Sequence, residues 1–116
     1  MAAVTQLTLA ARTVSRTIVE AQPIAQGADE SVVYGVTTTA WGTPTIPVVA
    51  KIYRITGGTH VDVTATCMTG DASVLANVIS VPLIHSLGKD QQYRVDVTFF
   101  CEPSTFEFYF LLSGEL

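Results

Sequence analysis

The stretch from Leu87 to Cys101, LGKDQQYRVDVTFFC, constrains the fold more than any other part of the chain. After a polar turn, Tyr93, Val95, Val97, Phe99 and Cys101 alternate with Arg94, Asp96, Thr98 and Phe100. A period of two puts the first set on one face of an extended strand and the second set on the other. Tyr93 stands six residues after Leu87, where the chain leaves the turn. A tyrosine at the start of a late strand in a β-sandwich can bond back to the backbone of the preceding corner. Leu87 and Tyr93 are therefore the predicted corner, and Val95, Val97 and Phe99 the predicted core.

Alternation of the same kind recurs along the chain. Gln6 to Ala11 reads as a first strand with Leu7 and Leu9 on one face. Thr13 to Glu20 is ambiguous between an extended arm and a short helix, and its β-branched content favours the arm. Ala21 to Glu30, with Pro23 and Gly27, reads as loop. Ser31 to Thr39 is a predicted strand; Pro44 and Pro47 argue against a regular central strand just after it. Val48 to Ile55 follows, with Val48, Ala50 and Ile52 inward and Lys51 and Tyr53 outward. His60 to Met68 alternates with Val61, Val63, Ala65 and Cys67 inward, and one or two short strands around Asn77 turn Ile79, Val81 and Leu83 inward. The last strand, Thr105 to Leu112, carries Phe106, Phe108, Phe110 and Leu112 on one face. About seven strands with closely spaced turns, and no convincing helix, predict an all-β, immunoglobulin-like β-sandwich with Greek-key connections. It divides into an extended N-terminal segment or arm, 1–30, and the sandwich, 31–116. The arm could cover a sheet edge of its own sandwich or add a strand to a neighbouring subunit.

Composition agrees with one β-rich domain. Thr (16) and Val (15) are the commonest of the 116 residues, and both suit half-buried pleated positions. Charged residues make up 14%, against roughly 25% in an average domain, which points equally to surface buried on a partner and to a well-packed small domain. A net charge of −4 with six scattered Lys and Arg offers no basic stripe for nucleic acid. No apolar run reaches the ~20 residues of a membrane helix, and MAAVTQLTLAARTVSR lacks the basic start and apolar core of a signal peptide. Cys67 and Cys101 do not follow the antibody pattern, because Phe99 rather than a tyrosine stands two residues before Cys101. Two free thiols are the expectation.

Catalytic chemistry finds little support. His60 and His85 lie beside turns or strand ends, and no nucleophile elbow accompanies them; both read as ordinary surface or hydrogen-bonded histidines. Neither CxxC nor HxxxH spacing occurs for zinc. Asp29, Glu30 and Asp71 read as solvated loop residues rather than calcium ligands. No catalytic, cofactor-binding or metal-binding residue is expected. Trp41, in the Pro-flanked loop AWGTPTIP, weighs evenly between an interface anchor and a plug over the core. Leu7, Leu9, Ile18, Trp41 and Tyr53 are the candidate interface residues.

Several segments together resemble a family of small immunoglobulin-like structural proteins of tailed phages. The resemblance runs from about Ile24 to the C-terminus. It is carried by GADESVVYGVTTTAW at 27–41, VDVTATCMTGDASV at 61–74, VISVPLIHSLGKDQQYRVDVTF at 78–99 and FEFYFLL at 106–112. Asp90 stands where such corners often carry glycine. The resemblance implies a capsid decoration or cement protein that attaches to the major capsid protein on the outside of the head, as a dimer or trimer. It would be assembled in the host cytoplasm, with no nucleic-acid or membrane partner and no cofactor. Two other readings stay open: a glycan-binding or adhesive module using exposed aromatics such as Trp41 or Tyr109, and another virion part such as a head-fibre, connector or tail subunit.

Overall fold

The computed structural model describes residues 4–8, 16–18, 24–39, 41–101 and 104–115, with side chains described from residue 24 onward. It is an all-β sandwich. Its strands are β1 (Val4–Thr8), β2 (Arg16–Ile18), β3 (Ile24–Gly27), β4 (Val33–Thr37), β5 (Thr45–Thr56) and β6 (Thr59–Asp62), then a single helical turn, α1 (Thr64–Cys67). After it come β7 (Met68–Thr69), β8 (Ser73–Leu75), β9 (Val78–Ser80), β10 (Leu83–Ile84), β11 (Gln92–Cys101) and β12 (Ser104–Glu115). The larger sheet runs β2-β12-β11-β5-β6, with β3 also on β12; the smaller runs β1-β4-β9-β8, and β10 pairs with β7.

The inward half of the β11 alternation is the centre of the core. Tyr93, Val95, Val97 and Phe99 are buried, as are Phe108, Phe110 and Leu112 of β12 and Ile52 of β5. The smaller sheet closes over them with Tyr34 and Val36 of β4 and Ile79 of β9, and the Tyr34 ring packs on Phe110 at 5.3 Å between centroids.

The predicted corner forms. Leu87 and Tyr93 are buried, and the Gly88 N–H donates to the Tyr93 hydroxyl oxygen at 2.8 Å. Asp90 takes φ 63°, a left-handed conformation that Asp tolerates better than most residues. The corner is also fixed to the last strand: Gly114 donates to the Gln91 carbonyl at 2.9 Å and accepts from the Asp90 N–H at 3.0 Å.

Several expectations are corrected. His60 to Met68 is not one strand. β6 ends at Asp62, whose Oδ1 accepts the Thr64 N–H at 2.9 Å, and this side-chain bond offers the backbone an alternative to the ladder. The chain then makes α1, so Val61 and Ala65 are exposed and Cys67 is buried. Ala21 to Glu30 is not all loop, because Ile24–Gly27 pairs in parallel with Leu112–Glu115 of β12. The strand predicted over Ser31 to Thr39 is shorter, with Val32 joined only by an isolated bridge to Ile84. Pro47 lies inside β5, within the irregularity between the Val49–Thr98 and Thr45–Phe100 pairs and outside the span paired with β6. A proline is tolerated where a bulge or an open edge asks no N–H of it. After Pro82 the burial pattern shifts by one, and Ile84 rather than Leu83 is fully buried.

The N-terminal strands lie on the sandwich's own edges. β1 pairs in parallel with β4 of the smaller sheet, and β2 and β3 pair in parallel with β12 of the larger one. A buried side chain anchors the last of them. Gln26 Nε2 donates to the Ile84 and Glu30 carbonyls at 2.9 and 3.2 Å, and Gln26 Oε1 accepts the Tyr34 hydroxyl at 2.7 Å. Ile24–Gly27 is thereby held to β10 and β4 as well as to β12.

Candidate binding surface

β5, β11 and β12 turn their second set of side chains outward. Register decides which of these meet. Arg94 lies opposite Tyr53, and Asp96 lies between Lys51 on β5 and Tyr109 on β12. β6 brings Asp62 opposite Tyr53, and His60 opposite Ile55.

Arg94 is oriented from two sides. Its Nε donates to Asp96 Oδ1, two residues away on the same face. Its guanidinium carbon lies 3.8 Å from the centre of the Tyr109 ring. A partly exposed ion pair of this kind contributes at most about 1 kcal/mol, and the cation–π contact about as much. Their larger consequence is that the guanidinium is held over the Tyr109 ring.

Beside it is a hollow of about 210 Å³ bordered by Tyr53, His60, Arg94 and Asp96. A second hollow, of about 310 Å³, shares Tyr53 and Asp96 and extends along Val49, Lys51, Thr98 and Glu107. The two hollows adjoin at Tyr53 and Asp96 on the outer face. At its far end the face turns apolar. Thr98 is opposite Val49 and Phe100 is opposite Thr45, and Ile46, Val49 and Phe100 are 74%, 51% and 41% exposed.

The candidate interface residues fall in different places. Tyr53 borders both hollows. Leu7 is in β1 opposite Val36, and Ile18 is in β2 opposite Tyr109. Leu9 lies outside the described residues. Trp41 is half-buried and covers one end of the core, stacked on Phe99 at 5.9 Å and edge-on to Phe106 at 5.4 Å. The loop that places it is closed by Thr38, whose carbonyl accepts the Trp41 and Gly42 N–H groups at 2.8 and 2.9 Å. Of the two roles weighed for Trp41, the plug is the one its ring contacts describe. Arg94, Asp96 and Phe100 are not among the candidate residues of the sequence, and His60 reads there only as an ordinary surface or hydrogen-bonded histidine. Their signal was the outward half of the alternation, which reads as ordinary solvated surface until register joins three strands.

The remaining reactive groups are separate from the hollows. His85 Nε2 is 2.7 Å from Thr69 Oγ1 and Nδ1 is 2.8 Å from Ser86 Oγ, so a hydroxyl engages each ring nitrogen. Cys67 and Cys101 are free thiols. Burial pushes the Cys67 thiol up, partly opposed by the positive charge of Arg54, and burial also raises Cys101. Among the described residues no three His, Cys, Asp or Glu side chains converge as metal ligands, and no helix is long and apolar enough to cross a membrane.

No family model, curated protein or solved structure matches the chain.

Proposed function

We propose that the chain is a non-enzymatic structural protein of a tailed-phage particle, an immunoglobulin-like decoration or cement subunit that docks on the outer capsid surface. The family assignment is supported by the sequence resemblance. The docking is supported by one observation, the exposed Val49 and Phe100 at one end of a polar sheet face, with Ile46 of the same strand exposed as well. Exposed large apolar side chains that gather on one part of a surface fit a contact region. Burying what these three expose would contribute about 2–4 kcal/mol per copy. That is weak for one subunit and sufficient when engagement is repeated over a lattice or between linked copies.

The test is to purify the virions, probe them for the chain, and reconstruct the head with wild-type and Phe100→Asp protein. Density for the sandwich on the outer shell, lost or thinned in F100D while the isolated variant stays folded, supports the reading. Density confined to the tail or connector, or absence of the chain from particles, refutes capsid decoration.

A further inference from the structure

The sandwich covers its two sides unequally. On one side the N-terminal strands pair with β4 and β12. On the other side β6 and β8 end the two sheets, and β8 passes close to β5. Of the five exposed large apolar side chains among the described residues, four lie on this second side. They are Ile46 and Val49 on β5, Val61 on β6 and Leu75 on β8.

β6 does not cover all of β5. Its pairing runs only along Tyr53–Thr56. Just past it, the Ile52 carbonyl accepts the Val63 N–H at 3.0 Å and the Ile52 N–H donates to Thr64 Oγ1 at 3.1 Å. Ile52 therefore turns its backbone groups away from β11. A period of two turns those of Ala50, and then of Val48, the same way. Among the described residues no backbone group or strand bonds to them on that side. An open edge results along Thr45–Lys51, one short strand in length and stopped at one end by β6. Such an edge is a template for another strand.

We infer that this edge pairs with the same edge of a second copy of the chain, antiparallel about a two-fold axis at Val49. The edge is its own complement. Val48 of each copy exchanges bonds with Ala50 of the other and Val49 meets Val49, as a two-fold contact requires. The stretch from Thr45 to Ala50 carries no charge, so nothing in it repels its own copy. Antiparallel order sets the two Lys51 residues about 14 Å apart, beyond a Debye length at physiological salt. Parallel order would set them side by side. Length agrees as well, because β5 begins at Thr45 and the second copy's strand runs out as it reaches the first copy's β6. Pro47 and Lys51 confine the ladder to Val48–Ala50, about four hydrogen bonds. A contact of this extent falls below the roughly 1,200 Å² of a stable interface, so the dimer is weak, with Kd about 0.1 mM. Pairing needs no shell and does not rest on the capsid reading.

The experiment is sedimentation equilibrium of the full chain from about 10 μM to about 1 mM, for wild type, Val49→Lys, Val49→Glu and an equimolar mixture of the two variants. The expected result is a monomer–dimer equilibrium in the wild type. It should weaken at least about tenfold in each variant, where like charges face each other across the axis, and return in the mixture, where opposite charges do. Val49 is exposed, so both variants should keep the wild-type melting temperature. Four results overturn the inference: a monomer at every concentration, an assembly other than a dimer, a single variant that dimerises as the wild type does, or a mixture no tighter than either variant alone. The capsid reading is decided separately, by density on the head.

Discussion

Replacing Gly114 by alanine adds one methyl group where β12 approaches the backbone of the corner closely. A Cβ atom there would stand 1.9 Å from the Gly88 carbonyl oxygen, well inside the 3.0 Å below which real Cβ contacts essentially do not occur. Both partners are backbone, so no side chain can rotate away. Gly114 is not among the glycines with positive φ, and the cost is therefore steric rather than conformational. Relieving the clash requires the corner and β12 to part by more than 1 Å, judged from those two distances. The bonds from Gly114 to Gln91 at 2.9 Å and from Asp90 to Gly114 at 3.0 Å would then stretch beyond hydrogen-bonding range. Each is worth about 1 kcal/mol net, and disturbing the Tyr93–Gly88 bond adds about as much. The expected loss is about 3 kcal/mol, which at this chain length lowers Tm by about 12 °C. Urea unfolding followed by the fluorescence of Trp41, the only tryptophan, measures it directly. Gly58→Ala is the contrast: it has φ 83° and nothing within 4 Å, so it should lose only about 1 kcal/mol, from backbone strain alone. A G114A loss below about 1 kcal/mol, or equal losses in the two variants, would refute the view that the corner is clamped to β12.

Other tests follow from the same contacts. Tyr93→Phe keeps the ring in the core but leaves the Gly88 N–H without its acceptor, and equilibrium unfolding should show a loss of about 1–2 kcal/mol. Gln26→Leu removes the partner of the Tyr34 hydroxyl and one of the two donors to the Ile84 carbonyl, which keeps the Val32 N–H, in a buried setting; calorimetry should show about 2–3 kcal/mol lost, with β3 amides exchanging earliest. Burial, and then the negative charge of Glu30, push the Tyr34 hydroxyl up to about 12. Because the folded state holds this proton more tightly than the unfolded chain, the stability it contributes is complete below pH 10. It is lost as pH rises from about 10 to about 12, up to roughly 2–3 kcal/mol. Denaturant titrations across that range should show the decline, and Tyr34→Phe should flatten it; an unchanged slope in Y34F would assign the decline to other groups.

The legibility of the fold in the sequence followed the strength of local signals. The Leu87–Cys101 strand was readable because one run carried both a period of two and the corner tyrosine, and each points to the same conformation. His60 to Met68 carried the period but also Asp62 followed two residues later by Thr64, a short side-chain bond that ends a strand. Ile24–Gly27 had the composition of a loop, and its strand state comes from β12 beside it and from the buried Gln26 beneath. The smaller hollow was legible only by halves. Arg94 and Asp96 stand on the outward set of an evident strand, but nothing local tells that Tyr53 and His60 sit beside them. Those neighbours are set by pairing between residues some forty positions apart, as Arg94 with Tyr53.

The parallel pairing of β3 with β12 bears on how the domain carries mechanical load. Ile24 lies opposite Leu112 and Gly27 opposite Glu115, with both strands running the same way. A pull on β3 from its N-terminal side and on β12 from its C-terminal side acts along the two strands in opposite senses. Their cross-links are then sheared together instead of being peeled one after another, as in an antiparallel hairpin pulled from its open end. Separation would also tear Gln26 from the Ile84 and Glu30 carbonyls. The domain should therefore resist extension along this axis far better than tension across it, and single-molecule pulling in the two directions, which reads the forced rate of unfolding, would display that anisotropy.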